Sequence, residues 1–407
     1  MCKNRERYTG CVPVPTFPAA RAMVLKEVCA LRVLPAMEQI PIEDCQSRVL
    51  AEDIAADRDY PPFNRSVRDG FAVRSGDMPG RVQVIGEVRA GERFEGFVKA
   101  GEAVEIMTGA PVPDGADAVV MVEHCVRHDD GSVETDRSAA KDSNIAHAGC
   151  EARAGTVVLK RGTRIDYAAV GWLATTGHCV VNVYARPRVA IIATGDEIVG
   201  VAETPAPYQI RNSNAYSLAA QVRRAGGEPV MLPVAKDSKE ATAHLIRQGL
   251  GADLLLLSGG VSAGKYDFVE AALEECGARF FFDRVLIQPG QPLVFGEARG
   301  KFFFGLPGNP ASTMVTFELF GRAALDLLGG MNDAPLPLTL ARLTRPFRHK
   351  SGMTRFLPAE VSCAEVTPVA WQGSGDVPSI CRANAFLVAD ANQPEYAAGD
   401  LIPVLLK

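Results

Sequence analysis

The spacing of apolar positions changes along the chain, and each change marks a different kind of structure. Residues 18–34 (PAARAMVLKEVCALRVL) carry apolar side chains at helical intervals and predict an amphipathic helix. Residues 70–126 contain short alternating runs punctuated by Gly and Pro (FAVRSGD, RVQVIGEV, AVEIMTGAPVPDGADAVVMVEH), which predict a small β module inserted in the chain. Gly-punctuated β structure resumes over 144–160, and a helix is expected at 167–176. From Arg188 onward, apolar runs (RVAIIAT, EPVMLPV, DLLLLSGG, RFFFDRVLI, KFFFGLPG) alternate with helical patterns, the last over 311–328. That series predicts a largely parallel sheet whose ligands bind at the carboxyl ends of its strands. After Gly329-Gly330, MNDAPLPLTLA reads as a linker, and the last ~75 residues read as a separate small barrel or sandwich.

The most informative run is DLLLLSGGVSAGKYD, residues 253–267. Its four leucines predict a strand covered on both faces. Beyond Ser258, the residues Gly259, Gly260 and Gly264 permit positive φ and bring backbone N–H groups close to an anion, with Ser262 in the same turn. Residues 267–276 have helical spacing, so the turn also faces a helix N-terminus. An ordinary strand-to-helix turn is the alternative reading.

Four loops fall at predicted strand ends: 194–197, 234–237, 258–267 and 305–310. If they converge, Glu197, Asp237 and Asp267 meet, and clustered carboxylates repel unless a cation lies between them. Mg²⁺ fits, because it prefers oxygen ligands and shares its coordination with substrate phosphates. Two further acceptor or donor candidates lie earlier in the chain. Asp69 ends the extended PPFNRSVRDG segment, either as an exposed carboxylate or as the first half of an Asp-Gly turn. Thr108 offers a hydroxyl to a ligand or to its own turn.

Composition narrows the classes. The 407 residues are 47% hydrophobic and 22% charged with a net charge of −5, which describes a multidomain globular protein and not a general nucleic-acid binder. No apolar run approaches the ~20 residues of a membrane span, and MCKNRERYTG leads into no signal-peptide core. Ten cysteines without a CxxC pair indicate reduced thiols and a cytoplasmic location. His124, Cys125 and His128 have the donor types of a metal site, but the adjacent HDDGS turn favours a solvated hairpin.

Six segments in order, PPFNRSVRDGFAVR, AGERF…AVEIMTGAPVPDGADAVV, ATGDEIV, SGGVSAGKYDF, IQPGQPLVFG and GLPGNPAS, resemble the molybdopterin molybdenumtransferase family, and the C-terminal domain of gephyrin is similar. The resemblance runs from about residue 20 to the end. It implies a multidomain α/β plus β fold with four parts: a small α+β linker domain (18–52 and 150–178), an inserted β module (53–149), a largely parallel α/β molybdopterin-binding domain (179–330) and a C-terminal β-barrel-like domain (331–407).

The implied reaction consumes molybdate and adenylylated molybdopterin with Mg²⁺ and releases molybdenum cofactor and AMP. The resemblance further implies an elongated homodimer, a possible molybdopterin adenylyltransferase partner, and no nucleic-acid or membrane partner. Its acids map onto Asp69, Glu197, Asp237 and Asp267, with Asp267 and Glu197 on the metal. Its substrate-binding positions map onto Thr108, Glu151, Ser258, Gly259, Gly260, Ser262, Gly264, Gln288, Gln291, Pro307, Asn309, Pro310 and Ser312.

Three departures from the family pattern stand out. Where the family often has IKPGKP, this chain has Gln288 and Gln291, which donate hydrogen bonds without charge. The usual Arg and Gly-Glu-Asp are Ala146 and Gly149-Cys150-Glu151, and the Gly-Arg start of a C-terminal motif is Gly352-Met353, with Arg355 nearby. Two other readings remain open: a non-catalytic molybdopterin-binding scaffold, and the related adenylyltransferase, which would not need the β module or the C-terminal domain.

Overall fold

A computed structural model of the chain describes residues 14–236, 238–260 and 268–407. Their contacts divide into two compact units. The larger takes the residues up to Glu52, Arg161–Val170 and Cys179–Lys407; the smaller takes Asp53–Lys160 and Gly171–His178.

The larger unit is built on a six-stranded sheet in the order Glu228–Met231, Arg188–Ala193, Leu254–Ser258, Lys301–Leu306, Pro292–Ala298, Arg279–Arg284. The first four strands are parallel. Alternate side chains of the central strands enter two separate cores. Val189, Ile191, Leu254, Leu256, Phe302 and Phe304 pack on one face with helix Ser213–Arg224, helix Phe17–Leu31 and the helical run from Pro310 to Leu328. Ala190, Ile192, Leu255, Leu257 and Phe303 pack on the other with helices Lys239–Gly249 and Phe268–Glu275. Burial on both faces is why these strands read as unbroken apolar runs.

The last two strands correct the expected βαβ series. Arg279–Arg284 and Pro292–Ala298 are antiparallel to their neighbours. Only the residues between Arg284 and Pro292, and between Ala298 and Lys301, connect them, and a parallel return needs a crossover of about a dozen residues.

The C-terminal strands close on themselves. Thr354–Ser362 pairs with Glu365–Pro368 and Ala385–Ala389, and Leu338–Leu343 and Leu401–Leu406 complete a five-stranded ring. Leu357, Ala359, Val366, Leu387, Ile402 and Val404 fill it. A two-residue strand, Ile287–Gln288, adds to the outside of this barrel, with Gln288 opposite Arg355. The connection between the strands Arg279–Arg284 and Pro292–Ala298 is thereby stitched to the barrel.

In the smaller unit a six-stranded sheet has the order Ala118–Met121, Gly70–Val73, Glu102–Ile106, Gly80–Val88, Ser132–Thr135, Val126–Arg127. One face carries Phe71, Val73, Ala118 and Val120, the other Ala72, Val104, Ile106 and Val119. The period-two alternation seen in the sequence is this division. Residues 124–134 form the expected hairpin: Val126–Arg127 pairs with Ser132–Thr135, His128 Nε2 lies 2.9 Å from Glu134, and burial pushes the Cys125 thiol up to about 11. Among the described residues, no helix is long and apolar enough to cross a membrane.

Candidate active site

Sheet register builds the site in the larger unit. Ala193 is level with Ser258, and Ser258 with Leu306, so three adjacent parallel strands end in one row. Their loops therefore leave the sheet side by side. Backbone hydrogen bonds lace them together: Thr194 N–H donates to Ser258 O (3.0 Å), Gly259 N–H to Leu306 O (3.2 Å) and Gly195 N–H to Ala235 O (3.1 Å).

Over this row lies a cavity of about 800 Å³. Glu197, Ser258, Gly259, Gly260, Gln288, Gln291, Pro307, Asn309, Pro310 and Ser312 all line it. Ser262, Gly264, Asp267 and Asp237 lie outside the described residues.

Glycine is required where these loops turn. Gly259 and Gly260 have φ of +91° and +66°, and a Cβ on either would come within 3.0 Å of Thr194 Oγ1. Gly195, with φ +135°, has the Glu197 carboxylate lying over it: Glu197 Oε2 would be 2.5 Å from a Cβ at residue 195. The absence of that side chain lets the acid fold back onto its own loop.

The Gln288–Gln291 turn enters from the barrel side, anchored by the Gln288–Arg355 pairing and by Val285 N–H donating to Gln291 O at 3.0 Å. Asn309 Nδ2 donates to Ser374 Oγ (2.7 Å), joining the Pro-Gly-Asn-Pro loop to the barrel-side wall that also holds Trp371 and Met353. Arg355 Nε is buried without a hydrogen-bond partner.

Sequence reasoning missed several cavity residues, among them Arg211, Asn214, Trp371 and Ser374. Asn212, Ser213 and Asn214 form a cap-rich cluster at a helix start, a signal that was available; Asn212 does cap that helix, accepting from Ala215 N–H at 3.1 Å. Trp371 and Ser374 come from the barrel segment and carry no local signal.

The remaining predicted residues belong to the smaller unit. Asp69 is not the start of an Asp-Gly turn. Gly70 opens a strand in which a Cβ would lie 1.9 Å from Val120 O, so glycine serves strand packing. Asp69 Oδ1 accepts from both Thr108 N–H (2.6 Å) and the Thr108 hydroxyl (2.8 Å). These donors, the backbone one first, hold the Asp69 carboxyl below the usual carboxylate range. Glu151 accepts from Arg65 Nη2 at 2.7 Å.

Among the described residues the cavity presents one carboxylate, Glu197, with Ser, Asn and Gln oxygens around it. A hard-oxygen set with few carboxylates fits Mg²⁺ that takes further ligands from a substrate phosphate. It does not suit a soft metal, since among the described residues no thiol or imidazole lines the cavity.

A mixed α/β sheet with a crevice at its parallel strand ends, joined to a closed β-barrel, defines a multidomain ligand-binding fold. Comparison with known proteins is specific. Residues 16–177 match the MoeA N-terminal region (domain I and II), 190–326 a probable molybdopterin binding domain, and 340–407 the MoeA C-terminal region (domain IV). The molybdopterin molybdenumtransferase of Bacillus subtilis is 36% identical over 97% of this chain and 94% of its own; that of Staphylococcus aureus is 32% identical over 97% and 96%. A molybdopterin biosynthesis MoeA protein from Pyrococcus horikoshii has the same architecture, with a TM-score of 0.70 and 31% identity over 97% of this chain and 99% of that one. The chain belongs to the molybdopterin molybdenumtransferase family.

Proposed function

We propose that this protein inserts molybdenum from molybdate into adenylylated molybdopterin, with Mg²⁺-dependent release of AMP. The observation that carries the reading is the cavity at three level strand ends, in a chain similar along nearly its whole length to molybdopterin molybdenumtransferases.

An adenylylated dithiolene pterin is highly anionic. Backbone N–H groups of the Gly259–Gly260 turn and the Ser258 hydroxyl supply donors to its phosphates, and the amides of Gln288 and Gln291 supply neutral donors to the incoming oxyanion. Pro307 and Pro310 hold the loop between them in one shape, which places Asn309 and Ser312 against the ligand. Glu197, with Asp267, would hold Mg²⁺, which would supply charge neutralisation for the substrate phosphates. Asp237 orients the water or molybdate oxygen that attacks, and Thr108 fixes the Asp69 carboxylate in the smaller unit. Positioning and charge neutralisation account for catalysis on this route, which requires no covalent enzyme intermediate. We also propose that the protein works as a cytoplasmic homodimer and receives its substrate from a molybdopterin adenylyltransferase.

The test is AMP release from adenylylated molybdopterin with Mg²⁺, followed with and without molybdate. Release that depends on molybdate is expected. Tight binding of the pterin with no release under either condition would favour the scaffold reading instead.

A further inference from the structure

Asn214 stands at the start of helix Ser213–Arg224, on the cavity wall. Its Nδ2 lies 2.8 Å from Ser258 Oγ and 2.8 Å from Gly308 O. A carbonyl oxygen only accepts, so the group facing Gly308 is the amide NH₂, and the orientation of the carboxamide follows. Its two N–H bonds are then committed, one to each partner. Oδ1 is buried and accepts nothing. The side chain is held by its donor end alone.

This arrangement has a consequence for Ser258, which is 3% exposed yet reaches the cavity. A hydroxyl has one proton and two lone pairs, and here a lone pair receives the Asn214 N–H. The Ser258 proton is therefore available to another acceptor, and no described residue takes it. The second Asn214 bond fixes the Gly308 backbone, so one amide registers two of the three strand-end loops.

We propose that Asn214 is a positioning residue: it holds the Ser258 hydroxyl as a donor aimed into the cavity, toward an anionic oxygen or ring heteroatom of the bound ligand. The inference rests on the reading of the cavity as the site for adenylylated molybdopterin. Asn214→Ala frees the hydroxyl to rotate. Asn214→Asp keeps the shape but replaces both donors by an acceptor, which draws the Ser258 proton back onto residue 214.

A double-mutant cycle tests this, with affinity for molybdopterin as the readout and thermal melting to confirm folding. Asn214→Ala and Ser258→Ala should each weaken binding by about tenfold, the value of one hydrogen bond to a charged group. The double variant should lose less than the product of the two single losses, because much of the Asn214 effect passes through that hydroxyl. Asn214→Asp should lose more than Asn214→Ala. Losses that multiply in the double variant, or full affinity in Asn214→Ala, would overturn the proposal while leaving the substrate reading intact. If the unsubstituted protein fails to bind molybdopterin, the substrate reading falls, and this inference with it.

Discussion

Thr108 donates twice to one oxygen of Asp69, from its backbone at 2.6 Å and from its hydroxyl at 2.8 Å. Both bonds favour the charged carboxylate, so the folded pKa is depressed. Stability from this pair is complete above the ordinary carboxylate pKa and is lost as pH falls through the folded value. Thr108→Val removes the hydroxyl and keeps the N–H. The Asp69 titration, followed by NMR of its carboxyl carbon, should move up but stay below the ordinary value. An unmoved titration would show that the hydroxyl does nothing for Asp69.

Asp326 illustrates the opposite sign. Burial raises its pKa, and Arg164 Nη2 at 2.7 Å, with Arg322, opposes that rise. An acid raised on folding contributes stability that declines as pH climbs from its unfolded to its folded pKa. Arg164→Met removes the nearer cation and should raise the Asp326 pKa further. It should cost about 2–3 kcal/mol near neutral pH, since a buried charge loses its partner while Arg322 remains. Urea unfolding gives the number, and a loss below about 0.5 kcal/mol, the level of an exposed pair, would mean that the pair is not buried in solution.

Glu197→Gln keeps the size of the side chain and removes its charge. The half-saturating Mg²⁺ concentration for AMP release should rise by about 10–100-fold, in the range seen when the surroundings of a bound metal are altered. Gly195→Ala should do the same with an intact carboxylate, because its Cβ would occupy the space now taken by Glu197 Oε2. Unchanged Mg²⁺ dependence in both would remove Glu197 from the metal.

The neutral turn invites a gain of function. Gln288→Lys with Gln291→Lys places two cations on the cavity wall. Half-saturating molybdate should fall by about tenfold or more if the oxyanion sits there, as charged donors form the stronger hydrogen bonds. The same molybdate dependence in the double variant would place the oxyanion elsewhere.

How much of this was legible depended on the range of the cause. The four leucines of residues 254–257 announce a strand buried on both faces, and the helix after Asn212 carries its own cap, so local chemistry predicts both. RFFFDR looks like another parallel strand because apolar runs carry no direction; only the short connections on either side of Pro292–Ala298 decide it. The closed C-terminal ring depends on Thr354–Ser362 pairing with two strands, which no local pattern encodes. Ser258 was visible as the residue before a glycine turn. Asn214 was visible only as part of a cap-rich cluster, because its link to Ser258 follows from helix packing across 44 positions of sequence.

The central claim is metal insertion coupled to loss of the adenylyl group, and one reaction measures both. Adenylylated molybdopterin, Mg²⁺ and molybdate are incubated with the protein; released AMP is quantified, and the product is used to activate a cofactor-free molybdenum enzyme. One AMP released for each active cofactor formed, both dependent on molybdate, is the result predicted. AMP release without active cofactor, or neither product, would contradict the assignment.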